Sequence, residues 1–552
     1  MVGSTDTLKG AANSGIAAGR FQRLMTSPWL LILVVALSFF WQLGAVPLYD
    51  LDEGAFTEAT REMLASGDFI TPHKDGEPRY DKPVLIYWLQ AASAELFGFD
   101  EFALRLPSAI AATLWIAGLW FFVRRCLDAR TATVAGLAMA LSLQVSLIAK
   151  AAVADAVLNL FIALAFFEIY RYFLDPDPKT NRGFVLRAYL WMGLGFLTKG
   201  PVAVFFPLVV SFLFFLSEMG GANGGLRRWF RAVFSPLGWL VFLAVAGPWY
   251  LAIYLDDGAG FFRSFFLQHN LGRFDSAMQG HSGFPGYYLV MLPIILLPFS
   301  GWFLSLLKDL RRSWSDPLDR FLWIWFLTVL LFFSFSGTQL PHYLLYGCTP
   351  LFILMARYRE RLTNGWLAFV PPLFLFAILV ALPWLLETVV QVALRFDLGL
   401  KAHQVAMIGA GRFALDLHYG AAVLAGLVAM LGLMVWSRPA LWSRLVLAGI
   451  IQTLVVFGVL VPKVFEVMQA PVKEAGLVAK ALDMPTVVYR TSMPSFSVYR
   501  EAVTPNRRPQ AGDLVFLRID KLDRLERDLP DLDRTLVYQR GPVALVMVRA
   551  PE

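Results

Sequence analysis

The first long hydrophilic stretch, LYDLDEGAFTEATREMLASGDFITPHKDGEPRYDKPVLIYW over residues 48–88, sets acids, bases and aromatics directly behind an apolar run. Asp52 and Glu53 open it. A carboxylate at a membrane boundary is costly unless used, so both are candidate catalytic groups, as bases or as holders of a cationic substituent. The competing reading is a pair of acids solvated at a helix exit. Glu58, Arg61 and Glu62 fall at i, i+3 and i+4, with Phe56, Ala59 and Met63 offset. That pattern predicts a helix lying along the interface and makes Arg61 a candidate substrate contact. Tyr80 and Lys82 stand just before Pro83, a residue suited to a first helical turn. An ammonium beside the free N–H groups of a helix start makes an anion site. The alternative is a lysine snorkelling to headgroups.

Similar groups recur further along. Asp155 ends the turn KAAVAD, where it either caps the next helix or serves a site. Lys199 in FLTKGP is a single cation between two apolar runs. The second outer loop, 256–285, holds His269, Asn270 and Arg273 among aromatics. Arg273 offers a planar fork for a phosphate, and pairing of His269 with His281 on a metal is the lesser alternative. No Cys/His metal spacing is present, no cofactor is required, and a divalent metal is left open. GTQLPHYLLY adds His342 and Tyr343 at another outer helix end, where tyrosine also serves as a plain interfacial anchor. The basic members Lys82, Lys199 and Arg273 suit a lipid phosphate. The acids Asp52, Glu53 and Asp155 suit a base, a metal or a cationic substituent.

These groups need elements that hold them at one height of a bilayer. Of 552 residues, 57% are hydrophobic and 16% charged, against about 25% charged in soluble chains. Mean hydropathy is +0.59. Apolar runs near spanning length predict thirteen transmembrane helices, at about 29–47, 101–123, 132–149, 152–173, 185–198, 200–217, 236–255, 286–307, 319–335, 341–356, 366–386, 417–436 and 441–461. Arginine and lysine in alternate loops put residues 1–24, a mobile Gly/Ala/Ser-rich segment, in the cytoplasm and the conspicuous polar loops outside. The net charge of +7 is therefore a topology signal and not a nucleic-acid footprint. The first apolar run reads as an uncleaved anchor. Cys126, at a cytoplasmic helix end, and Cys348, inside a span, lie on separate helices and suggest no disulfide. From 462 to 552 the composition changes to a helical pattern, PVKEAGLVAKALD, and short β-rich runs, PTVVYR, FSVYR, DLVFLRI, RTLVYQR and VALVMVR. This predicts a small outer α/β domain behind a membrane body of 25–461.

LDEGAFTEATREMLASGDFITP with YDKPVLIYW resembles the first outer loop of the bacterial polyprenyl-phosphate-sugar-dependent glycosyltransferases. These share the multi-span GT-C architecture with protein O-mannosyltransferases. RLPS at 105–108, KAAVAD, GLGFLTKGP, NLGRF with GHSGFPGYYL, and TQLPHYLLY are similar to later motifs of that family in the same order, over about 25–360. MLASGDFITPHKDGEPRYDKP is most similar to the lipid A aminoarabinose transferases among them. The resemblance implies an inner-membrane enzyme with a GT-C fold of about thirteen spans. It implies an undecaprenyl-phosphate-linked aminoarabinose donor, a lipid A phosphate acceptor and membrane lipids as surroundings. Transfer to a protein hydroxyl or another glycan is an alternative; a polyprenyl-lipid flippase is a third, disfavoured by the scarcity of midplane charge.

Overall fold

The computed structural model describes residues 20–218, 225–266, 284, 286–396 and 399–551. Helices dominate to residue 482, and short polar residues start many of them: Ser27, Asp100, Asp128 and Asp316 each accept a hydrogen bond from a first-turn N–H. Seven single helices among the described residues are long and apolar enough to cross a membrane, and nine spans result if each of two bent pairs counts as one. The bent pairs are Ala129–Leu141 with Leu143–Ala149, at 72°, and Tyr287–Ile295 with Ser300–Leu306, at 118°. The Asp155–Leu174 helix is central, with 72% of its apolar window buried; Gly365–Ala393, with 11%, turns outward. Aromatic packing fills the centre. Phe122 stacks on Phe167 at 4.4 Å and Phe166 meets Trp325 at 4.2 Å.

Several expected boundaries move. The 185–198 segment belongs to a 22-residue helix, Pro178–Lys199, whose first half carries Arg182 and Arg187. The 341–356 segment is a 3-10 helix, Pro341–Gly347, followed by an α-helix, Thr349–Arg357. The last apolar helix continues past 462 to Met468, through a π-helical Val456–Leu460. Residues 402–414, expected within an outer loop, form a helix, Ala402–Ala414.

The C-terminal part has a four-stranded sheet with strands in the order Thr486–Val488, Leu514–Arg518, Val543–Arg549, Asp533–Arg540; the first pair is parallel and the rest antiparallel. The PVKEAGLVAKALD pattern forms the Ala470–Leu482 helix. FSVYR, read as β-rich, is instead the short helix Ser495–Arg500. A run this short does not separate the two periods, and tertiary packing decided: Phe496 stacks on Phe516 of the sheet at 3.9 Å.

Candidate functional site

The hydrophilic segment after the first apolar helix folds into a helix, Asp52–Ser66, a two-residue hairpin, His73–Lys74 with Glu77–Pro78, and a second helix, Leu85–Phe97. The expectation of an amphipathic helix on the interface is corrected here. Glu53, Thr57, Glu58, Thr60 and Glu62 are all buried, because the Leu85–Phe97 helix packs on one side and the Ser495–Arg500 helix on the other. A Cβ on Gly54 would lie 2.6 Å from the Ser495 backbone nitrogen, so glycine is what lets the two helices meet. Asp50 accepts from the Ser495 N–H at 3.0 Å and from its hydroxyl. Burial there pushes the Asp50 carboxyl up to about 7, against the pull of the Ser495 donors.

Beneath this junction lies a cavity of about 1210 Å³. Asp52, Lys82, Asp155, Lys199, His342, Tyr343 and Tyr80 line it, together with residues 491–494 and 504–507 of the C-terminal unit. Three helix ends converge at its inner side. Asp155 is the first residue of its helix, Lys199 the last of Pro178–Lys199, and Tyr346 lies on the 3-10 turn. Lys199 Nζ donates to Asp155 Oδ1 at 2.7 Å and to the Tyr346 hydroxyl at 2.9 Å. Tyr346 also donates to Asp155 Oδ1 at 2.9 Å, and His342 Nε2 stands 3.8 Å from it. The Lys199 ammonium lies 5.3 Å from the Tyr343 ring centre. Neither the capped acid nor the isolated cation of the sequence reading describes this arrangement: the two are partners.

Asp52 is exposed on the cavity side. Glu53, its neighbour, is not a free carboxylate. Oε1 accepts from Arg105 Nε at 2.8 Å and from Ala152 N at 2.7 Å, and Oε2 from Arg105 Nη2 and Tyr49 N at 2.8 Å each. Four donors occupy all its acceptor sites, so the catalytic expectation for Glu53 gives way to an anchoring one. Arg61 is corrected likewise. It lies outside the cavity lining and forks onto Glu58 at 2.7 and 2.8 Å.

Lys82 precedes its helix by three residues, since the helix starts at Leu85 and not at Pro83. Its ammonium donates to the Asp81 carbonyl at 2.9 Å and stands 3.5 Å from the Asp81 carboxylate. Arg79 holds that carboxylate from the other side, at 2.6 and 3.1 Å. Tyr80 donates to Asp257 at 2.7 Å, tying this loop to the end of the Pro236–Asp257 helix. Burial and the Asp257 charge raise its phenol to about 12. His269, Asn270 and Arg273, with His281, lie outside the described residues. Among the described residues no group of three His, Cys, Asp or Glu side chains could hold a metal ion.

Arg105, Tyr346, Lys150, Arg79 and Asp81 are among the site-region residues given no role in the sequence reading. Arg105 carried a usable signal: an arginine inside a predicted span is functional or structural by default. The wall from 491–494 and 504–507 carried none, because it is assembled by docking of a distant unit.

Residues 81–251 match the family model described as dolichyl-phosphate-mannose-protein mannosyltransferase. The undecaprenyl phosphate-α-4-amino-4-deoxy-L-arabinose arabinosyl transferase of Edwardsiella ictaluri is 33% identical over 323 residues, 57% of this chain and 56% of its own length. The protein of the same name from Aeromonas salmonicida is 31% identical, over 59% of each chain. The alignments thus span less than two thirds of these curated relatives. In three dimensions the chain is similar to ArnT from Cupriavidus metallidurans, crystallised with undecaprenyl phosphate: TM-score 0.75, 22% identity, 95% of this chain and 99% of that one covered. The chain is thus similar in sequence to bacterial proteins of that name over 57% to 59% of its length, and it shares the fold of the Cupriavidus metallidurans protein over 95% of it.

Proposed function

We propose that this protein is an inner-membrane glycosyltransferase that moves 4-amino-4-deoxy-L-arabinose from undecaprenyl phosphate to a lipid A phosphate on the periplasmic face. The observation that carries this reading is the single cavity in which Asp52, Lys82 and the Asp155–Lys199 pair face one another beneath the C-terminal unit. The names of the relatives support the sugar and the carrier. The proposed topology keeps thirteen spans, a cytoplasmic N-terminus, and the sheet-containing unit as a soluble periplasmic domain.

The reaction is a displacement at the anomeric carbon with undecaprenyl phosphate leaving. Cations must meet the charge that develops on that phosphate; Lys82, Arg273 and Lys199 are the candidates for this role. A lipid A phosphate has a second pKa near 6 and is already about −1.5 to −2 charged at neutral pH. It needs positioning more than deprotonation. Asp52 then holds the sugar or its ammonium, and Asp155 acts through Lys199 and Tyr346. The mannosyltransferase match over 81–251 favours a second reading, transfer to a protein hydroxyl, in which Asp52 is a general base. Mass spectrometry of lipid A from cells with and without the gene separates the two. A mass increment of one aminopentose that requires the gene is expected; identical lipid A spectra, with the increment on a protein instead, would reverse the assignment.

A further inference from the structure

Seven cations line the cavity among the described residues, and six of them have a carboxylate at ion-pair distance. Lys74 pairs with Asp75, Arg79 and Lys82 with Asp81, Arg105 with Glu53, Lys199 with Asp155, and Arg507 with Asp513. Lys150 is the seventh. Among the described residues its ammonium has no carboxylate partner; it donates to the Trp41 carbonyl and lies 5.4 Å from the Phe457 ring centre. An ammonium has three N–H donors, so two remain for a ligand.

Lys150 and the Asp155–Lys199 pair have different partners: Lys150 meets the Trp41 carbonyl and the Phe457 ring, whereas Lys199 meets Asp155 and the Tyr346 hydroxyl. Arg105 lines the same cavity. Arg105 is itself fully engaged, by Glu53 and by the carbonyls of Leu43, Val46 and Pro47. Around Lys150 the wall is built from the chain's first and last apolar helices. The Trp41 ring packs where a Cβ on Gly458 would approach it to 2.5 Å, and Phe457, Val461 and Phe465 continue along the last helix. Gln42 and Gln144 also line the cavity. A half-buried cation without a counterion pays its desolvation unrecovered, and burial next to Arg105 pulls the Lys150 ammonium down to about 8. An incoming dianion would reverse that penalty, and the apolar wall would take the chain that carries it.

We propose that Lys150 forms a second anion subsite of this cavity, which takes the phosphate monoester of a membrane lipid and is separate from the Lys82–Asp155–Lys199 group. Resting on the transfer proposed above, this subsite receives the acceptor phosphate while the carrier phosphate meets that group.

The test uses the full-length protein in lipid nanodiscs and reads binding of phosphatidic acid and of undecaprenyl phosphate by native mass spectrometry. Lys150→Gln keeps an N–H for the Trp41 carbonyl, and Lys150→Arg keeps the charge. The wild type should bind both lipids at once. Lys150→Gln should bind phosphatidic acid about 10- to 100-fold more weakly, as expected for loss of a charge-assisted contact, with undecaprenyl phosphate unchanged; Lys150→Arg should retain most of the affinity. Undiminished phosphatidic acid binding by Lys150→Gln, equal loss of both lipids, or mutual displacement in the wild type would each overturn the subsite. Transfer to lipid A is read separately. A wild type that binds phosphatidic acid through Lys150 yet transfers nothing to lipid A refutes the proposed acceptor and not the subsite.

Discussion

Arg105 and Glu53, 52 residues apart, form a two-point ion pair at 2.8 Å on each side, and both are buried. The pair fixes the start of the Asp52–Ser66 helix to the Glu101–Cys126 helix, so that Asp52, one residue away, projects into the cavity. Adjacent acids should therefore fail in different ways. Glu53→Gln leaves a buried guanidinium uncompensated and should cost about 3–5 kcal/mol of stability, seen as a lowered melting temperature. Asp52→Asn should leave the melting temperature within a degree or two and abolish turnover. Equal stability of the two variants would refute the division of roles.

Asp155, which is buried, and Lys199, which is largely so, form a second ion pair 2.7 Å apart. Asp155→Ala and Lys199→Ala should each destabilise the protein strongly, and the double variant should be less destabilised than the sum of the two, by about 1–3 kcal/mol. All three should lack transfer activity. Additive losses across the cycle would show that the contact does not couple the two helix ends.

The junction between Asp50 and Ser495 predicts a pH dependence. The Asp50 carboxyl is raised to about 7 from an ordinary 3.8 by burial; Ser495 opposes the shift, and the facing acids Glu53 and Asp75 add to it. Between these values the folded state holds a proton that the unfolded state has released. Stability should therefore fall as pH rises from about 4 to 7 and level off above. Asp50→Asn should remove that component of the slope, measured by thermal unfolding of the purified protein at a series of pH values. A variant with the wild-type slope would assign it to other groups.

For the carrier phosphate, Lys82→Ala should weaken binding of undecaprenyl phosphate by roughly 10- to 100-fold, from the loss of about 1.5–3 kcal/mol of charge-assisted bonding. Lys82→Arg should restore only part of it, because a planar fork does not replace a compact ammonium beside Asp81. Full affinity in the alanine variant would move the phosphate toward Lys199.

The proposed orientation is checked by labelling. Ser66 and Ser437 are both exposed, and cysteines placed there should differ: Ser66→Cys reacts with a membrane-impermeant thiol reagent applied from the periplasmic side, and Ser437→Cys does not. Reversed reactivity would invert the topology.

Hydropathy in the chain determined that it is a helical membrane protein, because solvation by lipid constrains composition residue by residue. The candidates Asp52, Lys82, Asp155, Lys199, His342 and Tyr343 were legible for the same reason: a polar group at the bilayer boundary stands out against an apolar background. Tertiary structure alone decided which of them are partners. Asp155 and Lys199 meet because two helix ends converge across 44 residues of chain, and Glu53 is withdrawn from chemistry because Arg105, read only as part of a motif, points back at it. Arg61 is withdrawn onto Glu58 by burial of a face that periodicity assigned to the membrane surface. The docking of Ser495–Arg500 on Gly54 closes the cavity with residues more than 400 positions away, a contact that no local pattern encodes because it depends on the shape of both surfaces once folded.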